Sequence, residues 1–250
     1  MNLSKNNALP TAGGNVDLGK RSLLMILAAL PAACVVTPPL PDPHGQVLPA
    51  PAVPPKMRLP QVGQEWVYAV RNVYNQQQLG IITERVVAVG DQIRIQRTSD
   101  KIGVLPDEIQ GPWGMILQDP HWTPAQTFAK PLPLWPLELR PGWTGSYRNQ
   151  YAVLGQPGFE YFWILNMEAV GWEEITTPAG KFKAFKFNNR VNFQSDDLVY
   201  KLASERSESV WLVPEIGRWV MRRSTGSYFV EIKGGDVREE YLEWELLSWK

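Results

Sequence analysis

Aromatic residues are absent from the first 65 positions of this 250-residue chain, and Trp66 is the first of them. The chain has a single cysteine, Cys34, and only two histidines, His44 and His121. So few thiols and imidazoles exclude a disulfide framework and most zinc sites. The 25 basic and 25 acidic residues balance, which argues against nucleic acid as the main partner because phosphate binding requires a basic excess.

The residues that are abundant divide the chain into unequal parts. All 11 Trp, 8 Tyr and 8 Phe lie from Trp66 onward, whereas ten of the 22 prolines lie between Pro31 and Pro60. A proline-dense stretch without aromatics cannot bury enough apolar surface to offset its chain entropy. We therefore predict a leader over residues 1–33, an extended tether over 34–60 and a folded domain over 61–250.

The leader has the organisation of an export signal. Lys20 and Arg21 precede a short apolar run from Leu23 to Leu30, and small residues follow. This run is too short to span a bilayer, which takes about 20 apolar residues. A basic start, an apolar centre and a small-residue end are typical of a signal peptide.

The end of the leader carries a resemblance to a known signal. The segment Leu30-Pro31-Ala32-Ala33-Cys34 resembles the lipobox of bacterial lipoproteins. The resemblance implies cleavage before Cys34, attachment of lipid, palmitate included, to that cysteine and, from the non-acidic residue that follows, transfer to the outer membrane facing the periplasm. Several acyl chains would provide the stable anchoring that one chain does not. The alternatives are ordinary secretion at an Ala-x-Ala site and an uncleaved anchor.

The folded domain reads as all-β, an antiparallel sandwich or an open half-barrel. Apolar and polar residues alternate with period two over 92–96, 218–222 and 242–246, which indicates half-buried strands. Turn residues separate such segments at Pro178-Ala179-Gly180, Pro214-Glu215-Ile216-Gly217 and Lys233-Gly234-Gly235-Asp236. Residues 103–142, rich in Pro and Trp, are predicted to form a long loop across the sheet, and 196–207 to be either a helix or a strand pair.

Two repeated or recurrent patterns add to this interpretation. The segment 177–184, with its Pro-Ala-Gly-x-Phe-x-Ala pattern, and the later Trp211–Gly217 segment resemble turns of uncharacterised β-rich bacterial envelope proteins. More distantly they resemble open half-barrels that carry lipids or lipoproteins, which implies a fold and no activity. Arg-Asn-x-Tyr occurs at 71–74 and again at 148–151, so an internal duplication and chance both remain open.

Candidate catalytic residues are few. His121 could act as a general base beside Asp119, but we expect it to be a surface-loop residue, and His44 lies in the tether. The adjacent carboxylate pairs suggest glycosidase chemistry, yet neighbours on a strand point to opposite faces and we expect solvated strand faces. These pairs are Glu173 with Glu174, Asp196 with Asp197, and Glu239 with Glu240.

The surplus of tryptophan is the strongest hint of a binding site. Trp113, Trp122, Trp135 and Trp143 could line a groove for sugars or lipid chains, or pack as a lid on the core. Arg222 and Arg223, with Arg218, could contact anionic head groups, although we expect a solvated strand edge.

The leading functional hypothesis is a non-enzymatic lipoprotein that acts as a binding or scaffolding module, without cofactor or metal. Its expected partners are the membrane through the lipid and a lipid, a glycan or another envelope protein. One alternative is a lipid or lipoprotein carrier with an apolar cavity of several hundred Å³. The other is a glycan hydrolase with two carboxylates facing each other in a groove.

Overall fold

The computed structural model describes residues 45–53, 55–156, 158, 160–194, 204–230 and 235–250. The predicted leader, Cys34 and His44 lie outside the described residues, as do Asp196, Asp197 and the first half of the Lys233–Asp236 turn. Within the described ranges, no helix has the length and apolarity needed to span a bilayer.

The described residues form fourteen β-strands and one short 3-10 turn at Pro214–Ile216. In chain order the strands are β1 Gln46–Leu48, β2 Glu65–Asn72, β3 Gln78–Val89, β4 Ile93–Ser99, β5 Gly103–Gln110, β6 Met115–Asp119, β7 Gln126–Pro133, β8 Thr144–Val153, β9 Tyr161–Thr177, β10 Gly180–Phe193, β11 Ser204–Val213, β12 Arg218–Val230, β13 Gly235–Arg238 and β14 Leu242–Trp249.

Twelve of these strands close into an antiparallel barrel. Each strand from β2 to β12 pairs with the next along the chain, and β14 pairs with both β12 and β2 to complete the ring. β1 and β13 lie off the ring and pair with β9 and β12. The all-β antiparallel prediction is confirmed, and the closed barrel is more specific than the sandwich or half-barrel that the sequence suggested.

Side chains alternate along each strand between the two faces of the sheet, and those that point inward fill the barrel interior. On β2, Trp66, Tyr68 and Val70 are buried while the residues between them are partly exposed, as period-two patterning requires. The predicted turns after β9 and β11 are confirmed. Gly217 ends the second of them with a φ of 70°, a left-handed conformation that glycine adopts without a steric penalty.

Residues 103–142 differ from the prediction, because they contain β5, β6 and β7 and not one long loop. Two of the prolines in this stretch, Pro106 and Pro131, lie where the ladder skips residues. Pro106 lies between Leu105 and Glu108, which pair with Arg97 and Ile95 across a register shift. A proline at a bulge removes no ladder hydrogen bond, so a proline-rich composition did not prevent strand formation here.

Part of the predicted tether also lies against the barrel. β1 pairs with Trp172–Glu174 of β9, and the backbone N–H of Arg58 donates to the Pro214 carbonyl over 2.8 Å. The Trp113 indole donates to the Arg58 carbonyl over 3.0 Å. Residues 45–53 and 55–60 therefore follow the end of the barrel at which β2 begins and β14 ends, which we call the basal end.

Candidate functional site

A network of buried ion pairs occupies the barrel interior. The guanidinium of Arg218 on β12 donates to both Glu84 on β3 and Glu108 on β5, with the shortest distances 2.6 Å to each. All three residues are 0% exposed. Three strands from different parts of the ring are thus joined by one cation, and hydrogen bonds between ionised groups are about twice as strong as neutral ones.

His121 belongs to this network and is not the surface-loop residue expected from the sequence. Its Nδ1 lies 2.9 Å from Asp119 Oδ1 and its Nε2 lies 2.9 Å from Glu84 Oε1. Residues 119–122 are all buried, so the connection from β6 to β7 folds into the barrel. Both ring nitrogens face carboxylate oxygens, and this arrangement suits an imidazolium, which donates from both nitrogens.

Further arginines extend the network. Arg97 donates from Nε to Glu84 and from Nη1 to the Pro120 carbonyl, each over 3.0 Å. Arg206 donates to the His121 carbonyl over 3.3 Å. Cations therefore hold the main chain of the β6–β7 connection as well as the carboxylates.

Three carboxylates of the network, Glu84, Asp119 and Glu208, are held ionised. Burial by itself would raise the pKa of Glu84, but the charges of Arg218, His121 and Arg97 outweigh it and keep that pKa well below its usual range. The same balance lowers the pKa of Asp119, where His121 supplies the largest opposing effect. It also lowers the pKa of Glu208, through Arg222 and Arg206. Nearby opposite charges thus prevail over desolvation at all three sites.

Glu84, Glu108 and His121 bring one ligand atom each within 4.8 Å of one another, as a metal site would. The chemistry of their surroundings does not fit a cation, however. Arg218 and the imidazolium already occupy the carboxylate oxygens, and a divalent ion would be placed against several guanidinium groups. The cluster is therefore a self-neutralising ion-pair network and not a metal centre.

The described interior is filled by side chains. A cavity of about 40 Å³ lies between Trp122, Trp163 and Trp219, which is space for water and not for an acyl chain. The carrier alternative required an interior volume of several hundred Å³, which the described residues do not provide. The hydrolase alternative required an open groove, whereas the facing carboxylates Glu84 and Glu108 are sealed in the core.

The tryptophans singled out in the sequence pack on the core. Trp122 and Trp135 are buried, and Trp113 and Trp143 are partly buried against the same cluster. Trp113 and Trp135 make an edge-to-face contact with ring centroids 5.4 Å apart, which is a favoured aromatic geometry.

Arg222 and Arg223 were expected at a solvated strand edge, and the structure places both in ion pairs within the sheet. Arg222 donates to Glu208 over 2.7 Å, and Arg223 donates to Glu243 on the neighbouring β14 over 2.5 Å. The expectation was wrong because β12 pairs with a strand on each side in the closed ring.

The members of each described carboxylate pair have different surroundings, and for Glu173 and Glu174 on β9 this is what strand geometry predicts. Glu173 is buried and accepts a hydrogen bond from the Trp211 indole over 2.8 Å, whereas Glu174 lies 3.4 Å from Lys181 at the surface. Glu239 lies 3.6 Å from Arg206, and Glu240 is exposed. None of these described pairs presents two carboxylates to one cleft.

A groove of about 690 Å³ crosses the outer face of strands β8 to β12. Two cross-strand rows of polar side chains form it, in register from strand to strand. The first row is Ser146, Asn166, Arg190, Ser207 and Thr225. The second row is Thr144, Glu168, Asn188, Ser209 and Arg223. Tyr241 adds an aromatic side chain at the β12 side, so the groove offers hydroxyl, amide, charged and aromatic groups together.

Sequence reasoning missed Glu84, Glu108, Glu208 and the groove. A signal for Glu84 was present, because it lies between Ile82 and Val86 at alternate positions, which share one face of a strand. A charged residue at an inward position of an alternating strand requires a buried partner. The groove carried no such signal, since it depends on the pairing register of five strands.

Comparisons with known proteins bear on the fold. No protein-family model and no curated protein sequence matches this chain. A candidate lipoprotein from Parabacteroides distasonis has a TM-score of 0.52 at 13% identity, over 76% of this chain and 96% of that chain. The chain shares its fold with that protein.

Two further solved structures are similar at lower TM-scores. A candidate exported protein with a YmcC-like fold from Bacteroides fragilis has a TM-score of 0.48 at 14% identity, over 78% of this chain and 99% of that chain. The hypothetical lipoprotein YmcC from Escherichia coli has a TM-score of 0.39 at 10% identity, over 74% of this chain and 84% of that chain.

Proposed function

We infer that this protein is a lipid-anchored, non-enzymatic binding module of the bacterial envelope, whose ligand lies in the outer groove across β8 to β12. The contrast between the two regions of the barrel carries this proposal. The cavity found in the charged interior has space for little more than water, whereas the outer face carries a groove of about 690 Å³. In this proposal the buried ion pairs serve the structure of the barrel, and the ligand is recognised in the groove on its outer face.

The groove favours a polyhydroxylated ligand, and we take an envelope glycan as its class. Neighbouring side chains within each row are separated by one strand spacing of about 4.8 Å. Serine, threonine and asparagine both donate and accept hydrogen bonds, which suits ligands that carry hydroxyl groups at regular intervals. Tyr241, at the edge of the groove, would pack on an apolar sugar face.

The lipid anchor is proposed from the sequence at Cys34 and from the lipoprotein description of the fold neighbour. A protein anchored in this way in the outer membrane would present the barrel to the periplasm. Labelling with radioactive palmitate tests this point, because label and membrane association should both be lost in Cys34→Ser. Unchanged label in that variant would exclude lipidation at this residue.

Binding to an array of bacterial envelope glycans that includes peptidoglycan fragments tests the groove. Ser207→Trp places a large ring in the middle of the first row, and we expect at least tenfold weaker binding. Thr83→Trp, on the partly exposed face of β3, is the matched control and should bind like the wild type. A wild-type protein that binds no glycan on the array, or an S207W variant that binds normally, would contradict the proposal.

A further inference from the structure

The basal end of the barrel exposes several large apolar side chains. These are Val53, Leu59, Val62, Val87, Val89 and Trp249, which we call the basal patch. The first three are 80%, 70% and 66% exposed. Single exposed hydrophobic residues need no explanation, but a group of them at one end of a molecule indicates an interaction surface.

Backbone and side-chain contacts bring the members of the patch together. The guanidinium of Arg58, next to Leu59, lies 5.5 Å from the ring centroid of Trp249. Trp249 pairs with Trp66 at the start of β2, and the N–H of Gly63 donates to the Val86 carbonyl over 2.9 Å. Leu59, Val62, Val87 and Trp249 therefore belong to one continuous region.

Cations border the basal patch. Lys56 and Lys250 are exposed, and the Arg58 guanidinium lies over the Trp249 ring. The nearby carboxylate Glu65 is shared by Lys250, at 3.2 Å, and Arg85, and the same end also carries the exposed carboxylates Asp91 and Glu215. Aliphatic side chains with a tryptophan and a rim of lysine and arginine are the composition found at membrane interfaces, where cations attract anionic head groups.

The short distance along the chain from Cys34 to the barrel favours a membrane as the surface that covers the basal patch. The described chain starts at Gly45 and reaches β9 at Trp172–Glu174 through β1. That segment of β9 leads to the turn whose Ala179 donates to Leu246 near the end of β14. A lipid on Cys34, eleven residues before Gly45, would then hold the basal end within about 40 Å of the bilayer.

We propose that the basal patch lies directly on the lipid surface in which Cys34 is anchored, so that the barrel has a fixed orientation and does not swing freely on its tether. The proposal rests on the lipid anchor proposed above. Residues 49–53 and 55–62 are then part of the contact surface. The groove on β8 to β12 is held at the side of the barrel, clear of the bilayer.

The lone native cysteine makes the test direct, because lipidation consumes it and an introduced thiol is then unique. Val62→Cys in the basal patch and Ile102→Cys in the β4–β5 turn at the opposite end are matched sites, 66% and 78% exposed. Each full-length lipidated variant is labelled with a nitroxide and reconstituted in vesicles of phosphatidylethanolamine and phosphatidylglycerol. We expect collision with a water-soluble relaxation agent to be at least threefold lower at position 62 than at 102, and collision with oxygen, which concentrates in lipid, to be higher.

The outcomes separate the patch from the anchor. Adding Leu59→Glu and Trp249→Glu to the Val62→Cys variant should return the label to water while the protein stays with the vesicles. Equal access of water to positions 62 and 102 in vesicle-bound protein would overturn the orientation alone. A label shielded from water but not in contact with lipid would also overturn it, in favour of a protein partner. Protein that does not stay with the vesicles would overturn the anchor and this proposal with it.

Discussion

At the scale of single residues, the barrel depends on charges that are fully removed from water. Arg218 neutralises two carboxylates at once, and the imidazolium of His121 lies between two more oxygens. Such pairs contribute little to stability compared with an apolar core of equal volume, yet removing one partner is strongly destabilising because a buried charge is left uncompensated. The network therefore fixes which side chains meet in the interior more than it adds to the free energy of unfolding.

Replacing Arg218 by methionine tests this view. We expect Arg218→Met to lower the free energy of unfolding by about 3–5 kcal/mol, because Glu84 and Glu108 lose their shared partner in a dry environment. Urea denaturation followed by circular dichroism measures the change. Arg190→Met, which removes a surface pair with Glu205, is the control and should change stability within experimental error. Similar midpoints for both variants would show that the network is not energetically coupled to the fold.

Relationships between residues close in sequence could be predicted, but contacts between distant residues could not. The sequence shows that His121 lies two positions from Asp119. It does not show that both are buried, because their burial depends on the β6–β7 connection folding into the barrel. Glu84 could have been recognised from its inward position between Ile82 and Val86. Its partner Arg218 is 134 positions away, and no local pattern identifies a contact over that separation.

At the scale of elements, alternation and turn chemistry were sufficient to predict strands but not their number. The turns at 178–180 and 214–217 were predicted because proline and glycine restrict the backbone there. β5 to β7 were missed because a proline-rich composition predicts a loop, whereas Pro106 and Pro131 lie at register shifts within the strands. The two Arg-Asn-x-Tyr segments lie at β2 and β8, six strands apart around the ring of described strands, and a duplication stays a prediction.

The β11–β12 turn gives an element-scale prediction. Gly217 has a φ of 70°, and a Cβ added there would lie 2.8 Å from the Arg58 carbonyl oxygen. We expect Gly217→Ala to lower the free energy of unfolding by at least about 1–2 kcal/mol, the cost of the left-handed conformation for an alanine. Thermal and urea unfolding measure it. Gly90→Ala, where an added Cβ meets no neighbour, is the control, and equal stability of the two variants would contradict the assignment of strain to position 217.

At the scale of the whole molecule, the pairing of β14 with β2 and of β8 with β9 turns a meander into a closed barrel. The sequence predicted antiparallel β structure, and closure could not be read from it because closure depends on strand number and register. The proposed ligand site accordingly differs from the tryptophan-lined groove that the sequence suggested, because it is a polar groove on the outer face. Because the buried ion pairs join strands from different parts of the closed ring, they affect the stability of the entire fold.

The dependence of stability on pH follows from this interior charge. The pKa values of Glu84, Asp119 and Glu208 are lowered in the folded state, so their stabilisation is fully present above the ordinary carboxyl pKa of about 4. It is lost as the pH falls through the folded-state values, because the unfolded chain binds protons first. We expect little change in the free energy of unfolding between pH 7 and 5 and a steep decrease below about pH 4.

Urea titrations across this range measure the slope. Asp119→Asn should be less stable at pH 7 and should show a shallower decrease in acid, since one proton fewer is taken up on unfolding. A wild-type stability that stays constant to pH 2 would show that these carboxylates are not held ionised in the fold.

The order of strands around the barrel has a consequence for biogenesis. Strands β2 to β12 pair with their sequence neighbours, so each can add to the sheet as it emerges on the far side of a membrane. The ring closes only when β14 reaches β2, which joins Asn72 to Leu242 across 170 positions. If the chain is exported from its N-terminus, the barrel stays open along the exposed edge of β2 until the last strand arrives. That open edge is the stage at which the protein would need protection from aggregation.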